Sequence, residues 1–311
     1  MRNGGSGIHI GVVDSVSTPP SSLRTQIDLD TVYDSYTTAE EADVCGHGSN
    51  VLHLLSTLAP EATFSTFQVI DEPGDDQTQA HGNRSAVADA IADAGAGDVD
   101  MLNLSLGIRH ECQGFCSLAR ETKRVIAEYE TTIVSVTGNK QPQADREGVH
   151  CPGVVESVIS VGGYIPHCSH DLVDSEDSGQ WWCPEEDGTV YGPFCGQLDC
   201  CDGVSCSEYR REELWDGNVL FHNATPDVIA PALYVAGLED GVTLNAGTSY
   251  SAPIITGIVA TILSESDELG GQTPPEAIQT AIRRTSAPID DDTYYKLDAH
   301  SALDYLVESF E

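Results

Sequence analysis

The chain has 311 residues, with 50 acidic side chains against 14 basic ones, a formal net charge of −36, and only Lys123, Lys140 and Lys296 as lysines. Such a surface repels nucleic acid and anionic membrane, which excludes both as partners, and no apolar run approaches the length needed to span a bilayer. The length suffices for one large core and no repeat divides it, so a single domain over residues 1–311 is expected.

Ile8 to Val13 is an apolar run closed by Asp14, a buried strand ending in a carboxylate. Cys45-Gly46-His47-Gly48-Ser49-Asn50-Val51 then sets an imidazole between two glycines, ahead of a helix-like run from Val51 to Leu58. Strand-like runs at Phe64 to Ile70, Val99 to Leu106, Thr132 to Val136 and Val158 to Val161 follow. They alternate with helix-like runs at Ser85 to Ala94 and Ala119 to Tyr129. That alternation predicts an α/β fold with a mainly parallel sheet. Further on, Gly247-Thr248-Ser249-Tyr250-Ser251-Ala252-Pro253 is a turn of small residues before Ile254, Ile255, Ile258, Val259, Ile262 and Leu263, which recur at helical spacing. Ser249 therefore falls near a helix N-terminus, beside unpaired N–H groups that favour developing negative charge. Thr273 is the expected N-cap of a late helix with proline in its first turn, and Ala299 to Phe310 forms another.

Taken singly, these residues have plain readings. Asp14 suits a solvated strand end, His47 a helix cap in water, Ser249 an ordinary N-cap, and Asn139 after Gly138 a turn. Taken together, a carboxylate, an imidazole and an alcohol supply what acyl transfer needs: a nucleophile, a base and a group that orients the base. In the order Asp, His, Ser, with the Thr132 to Asn139 segment, Val99 to Gly107, Cys151-Pro152-Gly153-Val154 and Pro226-Asp227-Val228-Ile229-Ala230-Pro231 between them, the chain resembles the subtilisin-like serine peptidases over most of its length.

The resemblance implies a three-layer subtilisin-like fold, with a mainly parallel central sheet flanked by helices, and a serine endopeptidase acting on peptides or proteins. It assigns Asp14, His47 and Ser249 to the catalytic triad and Asn139 to the oxyanion hole. Ser105, Leu106 and Gly107 become substrate-binding positions, with Lys140 and His150 bordering the S1 pocket, where a cation favours acidic or neutral P1 side chains. Val16, Asn50 and Ile254-Ile255-Thr256 depart from the family's common residues; they touch turn geometry and substrate preference and remove no reacting atom. The other reading is a catalytically silent scaffold whose Cys-rich lobe binds a partner or a metal. An α/β-hydrolase esterase is disfavoured by the absence of a Gly-x-Ser-x-Gly elbow and by the Asp-before-His order.

Six of the ten cysteines, Cys168, Cys183, Cys195, Cys200, Cys201 and Cys206, crowd a weakly periodic segment, residues 164–225, that reads as an insertion in the family core. Disulfides are the first expectation for such a loop-rich lobe. Zinc with His167 or His170 is the lesser one, because adjacent cysteines chelate awkwardly and the spacing matches no standard pair of motifs. Cys112 and Cys116 lie where they can brace a substrate loop, and Cys45 reads as a small buried apolar side chain. Catalysis by these residues requires no cofactor; the resemblance admits a structural calcium ion, and no metal ligand is assigned. The N-terminal residues lack an apolar signal segment, which points to the cytoplasm, or to an extracellular enzyme if a leader and pro-region are missing. The acid excess points to a protein adapted to high salt. The sequence leaves the oligomeric state open.

Overall fold

The computed structural model describes residues 4–16, 28–33, 43, 46–72, 81–108, 112, 114–138, 149–164, 183–184, 190–191, 226–238, 241–268, 273–289 and 294–310. Its strands are β1 (His9–Asp14), β2 (Asp28–Tyr33), β3 (Thr63–Gln68), β4 (Ile70–Glu72), β5 (His81–Gly82), β6 (Met101–Leu104), β7 (Thr132–Val136), β8 (Ile159–Tyr164), β9 (Cys183–Pro184), β10 (Val190–Tyr191), β11 (Val228–Pro231), β12 (Leu233–Leu238), β13 (Gly241–Ala246), β14 (Ala287–Ile289) and β15 (Tyr294–Lys296). The helices are α1 (His47–Leu58), α2 (Arg84–Ala96), α3 (Ser117–Tyr129), α4 (Thr248–Glu268), α5 (Pro275–Thr285) and α6 (Ala299–Phe310).

Nine strands form one sheet in the order β14-β15-β11-β8-β7-β6-β1-β3-β2, parallel throughout except for the β14–β15 pair at one edge. A parallel sheet is covered on both faces, and its strands alternate their side chains between two cores. Ile10 and Val12 of β1, Met101 of β6 and Val134 and Val136 of β7 join Val51, Leu52 and Leu55 of α1 and Ala252, Ile255 and Val259 of α4. On the opposite face Val13, Leu102, Leu104 and Ile133 meet Ala90 and Ile91 of α2 and Leu118, Val125 and Ile126 of α3. This is the three-layer α/β fold expected.

The strand order determines where a site can form. From β1 the chain builds toward β3 and β2 on one side, then crosses back to lay down β6, β7, β8 and β11 on the other. The switch point lies between β1 and β6, and crevices of open parallel sheets open at the carboxyl ends of strands at such a point. Asp14 ends β1, and Ser105 follows β6 directly.

Two expected boundaries move. Thr273 is not the cap of α5: Pro274 occupies that position in an extended conformation (φ −68°, ψ 154°), and Pro275 is the first helical residue. The ring of Pro275 bars Pro274 from helical dihedrals, which places the boundary one residue later. The run from Phe64 to Ile70 is split, because β3 ends at Gln68 and β4 leaves the sheet to pair with β5. Asn139, Lys140, Cys45, His167, His170 and the six cysteines of the insertion fall outside the described side chains, as does all of residues 164–225 except short backbone stretches.

Candidate active site

Asp14 is buried at the end of β1 with 0 % of its side chain exposed, and its Oδ1 takes hydrogen bonds from the Ser15 N–H at 2.7 Å and from His47 Nδ1 at 2.7 Å. His47 opens α1 and is a quarter exposed (25 %), so one ring nitrogen is held from inside while part of the ring reaches solvent. Burial alone lowers the His47 pKa. The charge of Asp14, the hydrogen bond to it and the charge of Asp43 outweigh that effect and raise it above its ordinary 6.5.

Local backbone fixes this pair. The N-cap of α1 is Gly46 in the left-handed region (φ 70°), with no side-chain cap of its own. Asp43 supplies the missing acceptors: its Oδ1 accepts from the Gly46 N–H (2.9 Å) and Ser15 Oγ (2.7 Å), and its Oδ2 from the Ser49 N–H (2.8 Å) and Ser49 Oγ (2.5 Å). Ser15 Oγ in turn accepts from the Gly48 N–H at 2.9 Å. Gly48 has to be glycine, since a Cβ there would sit 2.7 Å from the Val16 backbone nitrogen. Gln68 Nε2 donates to the Ser15 carbonyl at 2.9 Å and secures the end of β1. Asp43 and Gln68 were not singled out by sequence reasoning; the available signal for Asp43 was an acidic residue just before a helix that lacks a capping side chain.

Ser249 stands in the first turn of α4. Its hydroxyl donates to the Ser105 carbonyl at 2.8 Å rather than to His47, while Ser105 Oγ donates to the Ser249 carbonyl at 2.7 Å. The ring of the next residue, Tyr250, lies with its centroid 5.6 Å from that of His47, so the imidazole and the Ser249 turn border the same space. Ser105 is itself buried and supports that turn, whereas Leu106 and Gly107 are partly exposed beside it. His150 packs between this segment and the end of β7: a Cβ on Gly107 would meet His150 Cβ at 2.7 Å, and one on Gly138 would meet its Nδ1 at 2.4 Å. Gly138 has φ 96°, a left-handed turn that carries the chain out of β7 toward residue 139.

Among the described residues, the group of side chains able to ligate a metal is Cys112, Cys116 and Cys151. These are thiols and unsuited to calcium, which takes oxygen ligands, so no calcium site is assigned. All three are free, and no disulfide is formed among the described residues. Among the described residues no helix is long and apolar enough to cross a membrane.

The fold thus carries an aspartate–histidine pair at the switch point of a parallel α/β sheet and a serine in the first turn of α4, an arrangement consistent with a subtilisin-like serine endopeptidase. The chain belongs to that group, the subtilase family of S8 peptidases, whose family profile matches residues 5–303. Among solved structures it is similar to the prenylagaramide maturation protease PagA (17 % identity, TM-score 0.64, covering 96 % of this chain and 93 % of that one). It is also similar to the self-cleaved protease domain of PatA (16 %, TM-score 0.63, 98 % of each chain) and to a cold-adapted subtilisin-like serine proteinase (16 %, TM-score 0.60, 95 % of this chain and 89 % of that one). No curated protein matches.

Proposed function

We propose that Asp14, His47 and Ser249 form the catalytic triad of this endopeptidase. The observation that carries the reading is the 2.7 Å contact between His47 Nδ1 and Asp14 Oδ1. A proton on Nδ1, held by the carboxylate, leaves the Nε2 lone pair free to act as base. In this mechanism the Ser249 hydroxyl leaves the Ser105 carbonyl and gives its proton to Nε2. The serine oxygen then attacks the scissile carbonyl carbon, and the imidazolium returns the proton to the leaving amine. A water then gives a proton to His47 and attacks the same carbon; as the ester bond to Ser249 Oγ breaks, His47 returns that proton to the serine oxygen and the carboxylic acid leaves.

The α4 N-terminus supplies positive potential where the tetrahedral oxyanion develops, and Asn139, one residue beyond the Gly138 turn, is assigned the side-chain donor. Nucleophile, base and oxyanion donors are all protein groups, so the reaction needs no cofactor.

Peptides or proteins are the substrates. His150 lies beside Gly107, and Lys140, which the family resemblance assigns to the border of S1, would favour acidic or neutral P1 residues there. The net charge of −36 makes the enzyme one for concentrated salt, where counter-ions screen its self-repulsion. A fluorophosphonate probe tests the assignment. It should label the wild-type protein once, at Ser249, and leave Ser249→Ala unlabelled; a folded wild-type chain that resists the probe would make it a silent scaffold.

A further inference from the structure

Cys112 lies in the turn after the Ser105–Ile108 segment, Cys116 is the N-cap of α3, and Cys151 follows His150. The three sulfurs lie within 4.8 Å of one another, with Cys112 Sγ to Cys116 Sγ at 3.0 Å and Cys116 Sγ to Cys151 Sγ at 3.6 Å. We propose that Cys112, Cys116 and Cys151 form a three-thiolate site for a divalent zinc ion, completed by one further ligand. The site is separate from the Ser249 chemistry and does not depend on it.

The dimensions suit the ion. Zinc holds thiolates at about 2.3 Å in a tetrahedron, whose sulfur–sulfur edges are then roughly 3.8 Å. The shortest contact opens by under an ångström and the 3.6 Å contact hardly changes. A disulfide would use two of the sulfurs and leave the third as a thiol beside it, whereas a metal uses all three.

Backbone donors surround two of the three sulfurs. The Gly114 and Cys116 N–H groups donate to Cys112 Sγ, and the Ala119 N–H, in the first turn of α3, donates to Cys116 Sγ at 3.4 Å. Backbone amides aimed at ligating sulfurs are what stabilises metal-bound thiolates. Cys112 and Cys151 are buried and Cys116 is half-buried, which leaves one side open for a fourth ligand.

The position gives the ion a task. Ile108 and Cys151 exchange backbone hydrogen bonds (2.8 and 3.1 Å), so a metal at the three sulfurs locks together the segment carrying Leu106 and Gly107, the loop carrying His150 and the start of α3. Zinc here braces one wall of the substrate crevice.

The experiment measures metal per chain on full-length protein by elemental mass spectrometry, with Co²⁺ replacement followed by absorption. Wild type and a variant with Cys168, Cys183, Cys195, Cys200, Cys201 and Cys206 all changed to serine should each hold one tight zinc ion and show the thiolate-to-cobalt charge-transfer bands. Cys112→Ser and Cys151→Ser should lose both. In wild type, where folding of variants is not at issue, bound zinc should protect the peptides of residues 112, 116 and 151 from maleimide, and a chelator should expose them while lowering Tm by roughly 5 °C. Zinc retained in Cys112→Ser, zinc lost only with the insertion cysteines, or a Cys112–Cys116 disulfide in a non-reduced digest would each overturn the site.

Discussion

Ser105 and Ser249 hold one another by two reciprocal hydrogen bonds, each hydroxyl donating to the other residue's carbonyl at 2.7 and 2.8 Å. The link extends inward: Asn103 Nδ2 donates to Ser105 Oγ at 2.9 Å, and Thr256 Oγ1, about two helical turns further along α4, donates to Asn103 Oδ1 at 3.0 Å. A buried polar chain thus ties the end of β6 to the N-terminus of α4 and sets the height of the Ser249 turn.

Removing its central hydroxyl should loosen that turn. Ser105→Ala deletes the bond to the Ser249 carbonyl and strips Asn103 of a buried acceptor, at about 1–2 kcal/mol of stability. The same displacement should lower kcat by roughly tenfold with little change in KM, since the nucleophile moves and the substrate walls do not. Equal kcat in Ser105→Ala and wild type would show that the reciprocal pair has no positioning role.

Because Asp14 and Asp43 outweigh burial and raise the His47 pKa, the neutral base should disappear as pH falls through a value above 6.5. The acid limb of kcat/KM should therefore lie above that value. Linkage has a matching sign: the stability that the charged His47 draws from these carboxylates is complete below its unfolded pKa and is lost as pH rises through the raised one. In Asp14→Asn the base loses its tautomer control, and kcat should fall by about 10⁴. An acid limb below pH 6.5 in the wild-type profile would contradict the electrostatic arrangement.

Asp43 separates positioning from chemistry. Asp43→Asn removes one charge that raises the His47 pKa and turns an amide NH₂ toward donors that now meet a carboxylate oxygen. The acid limb should move to lower pH, and stability should fall by about 1–2 kcal/mol as the cap of α1 is lost. A merely structural role would lower stability and leave the pH profile where it was.

The sequence displays the parts of this enzyme that obey short-range rules. β1, β6 and β7 are legible because strands covered on both faces are continuous apolar runs, and α2 and α3 because their apolar periodicity survives to within a few residues of their ends. α1 was expected to start at Val51 and in fact starts at His47: two glycines around the histidine hide a first turn that Asp43 caps from outside the helix. The β12–β13 hairpin, which pairs Leu233–Leu238 antiparallel with Gly241–Ala246, was passed over in the sequence. What no local pattern carries is partnership over long separations. Ser105 meets Ser249 across 144 positions and Cys116 meets Cys151 across 35.

Asp227, in the segment before β11, receives the Ser160 N–H at 2.8 Å, Ser160 Oγ at 3.1 Å and Arg283 Nε at 2.5 Å, joining β8, β11 and α5. Arg283 is nearly half exposed, so water screens its ion pair and Arg283→Ala should cost under about 1 kcal/mol. Asp227→Ala, which leaves the Ser160 donors unpaired, should cost about 2–3 kcal/mol. Denaturant midpoints of the two variants give the comparison, and a larger loss for Arg283→Ala would reverse the ranking.

Salt should act on this chain through its charge rather than through its core. With −36 distributed over 311 residues, each carboxylate feels many others at distances that only concentrated electrolyte screens, the Debye length falling from about 10 Å at 0.1 M to about 3 Å at 1 M. Cooperative unfolding should shift to lower temperature as KCl is diluted below molar levels, and activity should follow the folded fraction. Salts also strengthen apolar burial, so raising sulfate alone would not separate the two causes. Sucrose does: it favours compact states without screening, and at low KCl it should restore far less stability than KCl itself. A surface variant with a dozen exposed acidic residues changed to their amides should unfold at nearly the same temperature in dilute and molar KCl. If that variant keeps the full salt dependence of the wild type, self-repulsion is not what the salt relieves.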